Sequence, residues 1–281
     1  MSPARTFVLT GTAMVAFATN SILCRLALRD TAIDPASFTS LRLLSGALVL
    51  WFLLRLQKLP VTAAAGNWGS ALALFVYAAA FSYAYLSLSA GTGALLLFAS
   101  VQATMIVGGW HRGERIAIRQ RLGLGLAFTG LVLLVMPGLS APPLAGALLM
   151  LVAGIAWGLY SLRGGGAGSA MAATSANFLR SLPLAALLSL ATLSSMQLDA
   201  LGCWYALLSG ALASGLGYSV WYVALRDLSA AGAATVQLSV PMIAALGGVA
   251  LLGEAISLRM LLAALAILGG IALVLRRAAK A

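Results

Sequence analysis

Long runs of hydrophobic residues, separated by short polar segments, dominate this chain. A helix needs roughly 20 mostly apolar residues to cross a bilayer, whereas strands of a membrane barrel would show short alternating segments. The runs therefore predict an all-α integral membrane protein with ten transmembrane helices. The first run is too long for the apolar part of a signal peptide, so we interpret it as an uncleaved helix. The predicted spans are residues 5–27, 36–55, 67–88, 91–110, 117–136, 143–162, 171–193, 202–223, 230–252 and 257–275.

The composition excludes a soluble protein. Hydrophobic residues make up 62% of the 281 residues and charged residues only 8%. Soluble domains carry about 25% charged residues, so this chain has too few ionisable groups to cover a water-facing surface. The lipid bilayer is therefore its predicted environment.

The net charge of +11 would suit a nucleic-acid-binding protein, but the distribution of the basic residues argues against that partner. If the N-terminus is cytoplasmic, ten spans return the C-terminus to the same side, and 12 of the 17 basic residues then lie in cytoplasmic segments. This is the positive-inside bias that orients membrane helices. We therefore predict that both termini are cytoplasmic and that nucleic acid is not a partner.

The densest charge, at residues 112–121, has a weaker copy later in the chain. The segment 112–121 lies between two spans, so we interpret it as an anchor that sets the orientation of the helices in the membrane. The alternative is a dedicated recognition site. A shift of 140 residues aligns this segment and its surroundings without a gap. The matches include "GE" at 113–114 and 253–254, and "LSA" at 88–90 and 228–230.

This internal repeat predicts the architecture. Each unit contains five spans, and an odd number makes the second unit enter the membrane from the opposite side. We therefore predict two inverted five-helix repeats, residues 1–139 and 140–281, around a central cavity. Inverted repeats with a site near mid-membrane are typical of secondary transporters that work by alternating access.

Two motifs add a resemblance to a known family. "AWG" lies in the sixth span at Ala156–Gly158, and "PMIAALGGVALLGE" covers residues 241–254 before another glycine-rich helix. With its two five-span repeats, the chain resembles the drug/metabolite transporter superfamily, EamA type, and within it bacterial amino-acid exporters of the YddG type. The resemblance implies a ten-helix basket in the bacterial inner (plasma) membrane. It also implies export of small metabolites such as aromatic or other neutral amino acids.

The acidic residues bear on how transport is driven. A proton-coupled pump normally needs an ionisable relay inside the bilayer, and no carboxylate lies in the middle of a span. Proton-driven export of lipophilic cations is therefore disfavoured, and a neutral or zwitterionic solute moving down its gradient or by exchange fits better. The six acidic residues, all at span ends or in loops, are Asp30, Asp34, Glu114, Asp199, Asp227 and Glu254.

Aromatic side chains near polar groups indicate a small-ligand pocket. Such groups recur at equivalent positions of the first and sixth spans, and on single helical faces of the third and eighth spans. Glutamines in the fourth and ninth spans and an arginine in the second add polar groups in apolar surroundings. The predicted substrate-binding residues are Phe17, Asn20, Ser21, Arg42, Tyr77, Phe81, Gln102, Trp157, Tyr160, Tyr218, Trp221, Tyr222 and Gln237.

Each of these predictions has an alternative. The pocket residues would otherwise pack helices together, as polar and aromatic side chains do in membrane bundles. Arg42 and Arg180 either recognise a substrate carboxylate or extend to the nearer interface. Cys24 and Cys203 are interpreted as buried thiols, with a disulfide as the alternative.

The sequence offers no catalytic set. One histidine excludes an HExxH zinc site, and neither of the two lysines lies in a Walker A loop. We therefore predict neither an enzyme nor a cofactor or metal site, and a small-molecule substrate as the partner of a monomer or homodimer. The alternatives are an exporter of other metabolites or drugs, and a passive channel.

Overall fold

The computed structural model describes residues 2–58, 66–111, 118–138, 141–163, 169–228 and 230–275. These residues form helices joined by short connections, with no β-strand among them. The charged segment at 112–117 and the predicted repeat boundary at 139–140 lie outside the described residues. A π-helix, Ser209–Leu216, joins the eighth α-helix to the ninth. The α-helices are α1 (Pro3–Asp30), α2 (Pro35–Leu56), α3 (Trp68–Tyr85), α4 (Ala90–His111), α5 (Ile118–Val135), α6 (Leu144–Arg163), α7 (Ala170–Ala191), α8 (Ala200–Leu208), α9 (Gly217–Ala224), α10 (Ala230–Gln237), α11 (Ser239–Leu252) and α12 (Leu258–Leu275).

Eight helices of the described chain are long and apolar enough to cross a membrane. They are α1, α2, α4, α5, α6 and α12, together with the continuous helical stretches Ala200–Asp227 and Gly232–Leu252. The other two predicted spans, 67–88 and 171–193, correspond to the helices α3 and α7. Thr174, Ser175 and Asn177 of α7 are buried inside the bundle. The fold is therefore that of an all-helical, multi-pass membrane protein.

Several helices begin at a side chain that accepts hydrogen bonds from the backbone of the first turn. Asp34 caps α2, Asn67 caps α3, Ser169 caps α7 and Asp199 caps α8. These caps satisfy backbone N–H groups that have no partner within the helix. Local sequence therefore determines where these four helices start.

The helices pack in pairs that repeat between the two halves of the chain. α1 packs against α9 and α11, and α6 packs in the same way against α3 and α4. α2 contacts α8 and the π-helix, while α7 contacts α3. Three further pairs are α2 with α7, α4 with α11 and α5 with α12, and each joins a helix to the one five predicted spans away. The main contacts of a helix in the first five predicted spans are thus found again for the helix five spans later.

The bundle has two distinct ends. At the near end, α1 begins beside the end of α9, and the Thr6 hydroxyl donates to Asp227 Oδ2 at 3.0 Å. At the far end, α1 finishes beside α11, and Arg29 Nη1 donates to the Leu252 carbonyl at 2.7 Å. Because successive helices reverse direction, α3 and α7 begin at the near end and α6 finishes there.

At the far end, Asp34 joins the α1–α2 connection to the α7–α8 connection. Its N–H donates to the Gln197 carbonyl at 3.1 Å, and its carboxylate accepts from the Gln197 N–H at 3.0 Å. Partial burial raises the pKa of the Asp34 carboxyl, but hydrogen bonds from Ser37, Gln197 and Ala36 outweigh burial and hold this pKa below its usual value. The charged carboxylate is therefore the form that joins the α1–α2 and α7–α8 connections.

Candidate functional site

A cavity of about 600 Å³ lies between the two halves of the bundle. Its lining comes from α1, α3, α4, α6, α7, the π-helix, α9 and α10, and it extends from the middle of the bundle to the near end. Asn67, Arg163 and Ser169 at its rim are exposed, so the cavity is open at that end. Pockets of roughly 300–1,000 Å³ hold small organic molecules.

The cavity brings together twelve of the thirteen predicted substrate-binding residues; the exception is Arg42. Sequence reasoning missed Thr174 and Asn177 on α7, although their i, i+3 spacing places them on one helical face. It also missed Ser214, which the π-helix presents to the cavity. The predicted residues in the lining are Phe17, Asn20, Ser21, Tyr77, Phe81, Gln102, Trp157, Tyr160, Tyr218, Trp221, Tyr222 and Gln237.

Aromatic rings form a continuous wall around Trp157 of α6. The centroid of its ring lies 4.9 Å from that of Tyr77, 5.2 Å from that of Tyr160 and 5.3 Å from that of Tyr218. Tyr218 lies in turn 5.6 Å from Phe17. Such ring pairs contribute about 0.5–1.5 kcal/mol each beyond their burial. The wall therefore holds four helices together and presents a surface suited to flat or apolar solutes.

A first polar cluster surrounds the Tyr77 hydroxyl. Arg42 Nη2 donates to this oxygen at 2.9 Å, and Asn20 Nδ2 donates to it at 3.4 Å. The Ser209 hydroxyl donates to Asn20 Oδ1 at 2.6 Å, which orients the Asn20 amide. Because Tyr77 accepts both bonds, its own O–H is left to donate, and no described residue accepts from it.

A second polar cluster lies on the α7 side of the cavity. The Tyr160 hydroxyl donates to Thr174 Oγ1 at 3.2 Å, and the Thr174 hydroxyl is also hydrogen bonded to Tyr222. Nearer the rim, Asn177 Oδ1 accepts from the backbone N–H of Asn67 at 3.0 Å. These bonds join α6, α7, α9 and the start of α3 around the cavity.

The two glutamines lie in the cavity wall. Gln102 of α4 is only 4% exposed, and Gln237 is the last residue of α10. An amide buried in hydrocarbon without a partner costs several kcal/mol. Their position in the lining allows water or a bound solute to reach both amides.

Comparison with known proteins identifies the family of this fold. The EamA-like transporter family matches the chain twice, over residues 5–136 and again over residues 144–276. The chain belongs to this family. An uncharacterized protein of Pseudomonas aeruginosa, PA1977, is 60% identical over 275 residues, which cover 98% of this chain and 96% of that protein. A protein crystal structure with 17% sequence identity has a TM-score of 0.66 and 96% coverage of both chains, which shows a shared fold.

Membership of the EamA-like transporter family confirms the EamA-type resemblance. This family consists of transporters and is not a family of enzymes. The place among YddG-type amino-acid exporters stays a prediction, because the 60% identical relative is itself uncharacterized.

Arg42 occupies an unexpected place in this EamA-like transporter. Its side chain is 2% exposed, so the alternative in which it extends to an interface is wrong. Its Cζ lies 5.0 Å from the ring centroid of Tyr77 and 4.8 Å from that of Phe81. Both rings line the cavity, whereas Arg42 does not, so its guanidinium is one layer behind the cavity wall. The helix that carries Arg42, α2, packs against the π-helix.

At the far end of the transporter lies a charged contact that we call the far-end latch, formed by Arg25, Glu254 and Ala90. Arg25 Nε lies 3.2 Å from Glu254 Oε1, and Glu254 Oε2 accepts from the Ala90 N–H at 2.8 Å. Arg25 Nη1 also donates to the Tyr85 carbonyl at 2.8 Å. α11 ends at Leu252, and the φ of 63° at the next residue, Gly253, suits glycine. This turn presents Glu254 to α1 and α4. The "GE" motif therefore joins α1, α3, α4 and α11.

The described residues contain no group of three or more His, Cys, Asp or Glu side chains that would hold a metal ion. Cys24 is buried and Cys203 partly buried, and both are free thiols rather than the alternative disulfide. Apart from Arg163 at the rim, the cavity lining consists of uncharged hydrogen-bonding groups, aromatic rings and apolar side chains.

Proposed function

We propose that this EamA-like transporter is a secondary transporter that exports small neutral or aromatic amino acids through the cavity between its halves. The observation that carries the proposal is the lining of this cavity. Aromatic rings and uncharged polar groups dominate it, and among the described residues no acidic side chain takes part. Such a lining suits flat solutes without net positive charge, whereas a proton-driven exporter of cations needs a carboxylate inside the membrane.

The proposal includes ten spans arranged as two inverted repeats, residues 1–139 and 140–281. α3 and α7 are then the third and seventh spans, whose polar side chains face the cavity rather than lipid. Two observations support this arrangement. The family matches the chain once in each half, and the main helix contacts repeat between the halves.

Alternating access is the proposed mechanism. The cavity is open at the near end, and the latch closes the far end, as expected of one of two access states. Exchange of conformation between the two halves would close the near end and open the far end. In a bacterial inner membrane with both termini in the cytoplasm, the open cavity faces the solutes to be exported.

Uptake into liposomes that contain the purified protein tests this function. We expect accumulation of labelled aromatic or other neutral amino acids from a panel, with little change when a pH gradient is imposed. Unlabelled substrate inside the vesicles should accelerate uptake, because a carrier returns faster when loaded, whereas a passive channel shows no such counterflow. A panel of other metabolites and drugs is run in parallel, and transport of these alone would contradict the amino-acid proposal.

Two tryptophan variants connect the transport to the cavity. Trp157→Ala removes the centre of the aromatic wall and should lower uptake at least about tenfold, since stacking and apolar burial each contribute on the order of 1 kcal/mol or more. Trp204→Ala is the matched control, because Trp204 is 63% exposed and lies outside the cavity. Equal uptake by the two variants would rule out this cavity as the transport site.

A further inference from the structure

Arg42 is a buried positive charge with an unfilled hydrogen-bonding position. Its Nη1 has no hydrogen-bond partner, and the side chain is 2% exposed. Within the described ranges, every acidic residue is engaged elsewhere, either in an ion pair, a helix cap or a hydroxyl contact. These residues are Glu254 with Arg25, Asp30 with Arg29, Asp34 at α2, Asp199 at α8 and Asp227 with Thr6.

A charge inside the membrane is costly unless another group compensates it. The rings of Tyr77 and Phe81 compensate Arg42 in part, because a cation is attracted to the face of an aromatic ring. Neither ring carries a negative charge. The charge of Arg42 is therefore only partly compensated by its neighbours.

Arg42 influences the cavity through its hydrogen bond to Tyr77. The Tyr77 oxygen accepts from Arg42 and from Asn20, so its O–H is left to donate toward the cavity that Tyr77 lines. A donating neighbour with positive charge makes a hydroxyl a stronger donor, because hydrogen bonds in a chain polarise one another. Arg42, Asn20 and Tyr77 thus form a cluster of donors, which we call the donor cluster. Its complement is an oxygen with negative charge.

We propose that the donor cluster recognises the carboxylate of the solute, and that the substrates are small aromatic or apolar monocarboxylates whose amino group is dispensable. Tyr77 makes the contact, and Arg42 is a positioning residue that acts through it. This inference rests on the proposed function for the location of the solute. No acidic side chain of the described residues lines the cavity, so an ammonium group has only aromatic faces and neutral oxygens to meet.

Three probes that share one phenyl ring test the proposal. They are 3-phenylpropionate with a carboxylate only, phenylalanine with both charged groups, and phenethylamine with an ammonium only. Binding is measured as the rise in melting temperature of the purified protein in detergent, and transport as competition in liposomes. The two carboxylates should bind and compete, and phenethylamine should do neither. Preferred binding of phenethylamine would overturn the proposal.

The donor cluster is then changed one residue at a time. Arg42→Gln should weaken binding of both carboxylates, because the Tyr77 hydroxyl loses the charged donor that polarises it. Arg42→Lys should recover part of this loss because it keeps the charge. A purely structural role for Arg42 would weaken all probes together and would show no rescue by lysine, and that result would also overturn the proposal.

Tyr77→Phe keeps the ring and removes only the hydroxyl. It therefore tests carboxylate recognition even if Arg42→Gln does not yield folded protein. We expect it to weaken binding of both carboxylates by about ten- to a hundredfold, the range for a lost hydrogen bond to a charged group. Tyr83→Phe is the matched control, because it removes a hydroxyl from the same helix, α3, at a position outside the cavity lining. Equal effects of the two tyrosine variants would contradict recognition by the donor cluster.

The results separate this inference from the proposed function. If 3-phenylpropionate binds in an Arg42-dependent manner while no amino acid is transported, carboxylate recognition holds and amino-acid export fails. If amino acids are transported equally by the unchanged protein, Arg42→Gln and Tyr77→Phe, the transport function holds and carboxylate recognition fails.

Discussion

Gly210 is a single residue on which the position of the donor cluster depends. It lies in the π-helix directly against α2, and a Cβ built there would be 2.0 Å from Ser45 Oγ and 2.1 Å from the Arg42 carbonyl oxygen. Atoms without a bond between them do not approach so closely, and one of the two neighbours is backbone. The lack of a side chain at Gly210 therefore allows the π-helix to pack on α2 beside the residue that carries the buried charge.

Gly210→Ala should destabilise the protein, because the added methyl group forces α2 and the π-helix apart. Overpacking of this kind costs about 1–3 kcal/mol, so we expect a lower melting temperature in detergent. Gly269→Ala is the matched control, since a Cβ at this helical position in α12 meets no atom within 4 Å. It should leave the melting temperature unchanged or slightly higher, because alanine favours a helix more than glycine does. A similar fall for both variants would contradict this account.

At the scale of elements, two departures from regular α-helix shape the site. The π-helix presents Ser209 to Asn20 and Ser214 to the cavity, as π-helical turns often do at functional sites. The turn after α11 places Glu254 at the start of α4, where its carboxylate accepts from the Ala90 N–H. One irregular element thus builds the cavity wall, and the other closes the bundle opposite its mouth.

Glu254→Gln should loosen the far-end latch, because it removes the charge that pairs with Arg25 while keeping the size of the side chain. A charge-assisted hydrogen bond contributes roughly 1.5–3 kcal/mol, so we expect about a tenfold faster reaction of Cys24 with a thiol reagent. Cys24 precedes Arg25 and is fully buried, and Cys203→Ser leaves it as the single thiol to be measured.

The control for the latch is Asp199→Asn in the same single-cysteine background. Asp199 caps α8 at the far end and has no contact with the latch. This variant should label Cys24 at the rate of the parent protein. If Cys24 of Glu254→Gln is labelled as slowly as Cys24 of the parent protein, the latch does not hold the far end closed.

Across the whole molecule, the contacts between helices follow the pattern expected of two similar halves. α5 and α12 pair at the edge of the bundle, and α2 pairs with α7 across it. The cavity takes its wall from both halves, so neither half alone encloses it. Relative movement of the halves would therefore change which end of the cavity is open.

The proposed topology predicts that tags at the two chain ends are accessible from the same, cytoplasmic side. A third tag in the α7–α8 connection, near Leu193–Ser195, should be accessible only from the opposite side. Protease digestion of oriented membrane vesicles measures all three. Tags at the chain ends that are cut from different sides would refute the arrangement of two inverted five-span repeats.

Much of the cavity was predictable from local features of the chain. Phe17, Trp157 and Tyr218 were identified because apolar spans, repeat register and helical spacing place them on defined faces, and all three line the cavity. Thr174 was missed because small polar residues also pack membrane helices, so its type alone does not indicate a pocket. The interface alternative for Arg42 was wrong, because burial depends on which helices cover α2.

Apolar runs and helix caps act within a few residues, so the chain's sequence was enough to predict a helical, multi-pass membrane protein. Through the repeat it also indicated which side chains would form a pocket. The positions of Arg42 behind Tyr77 and of Glu254 beside Arg25 became known from the folded structure alone. Those contacts join residues 35 and 229 positions apart, and their geometry follows from how the helices pack, which no local pattern specifies.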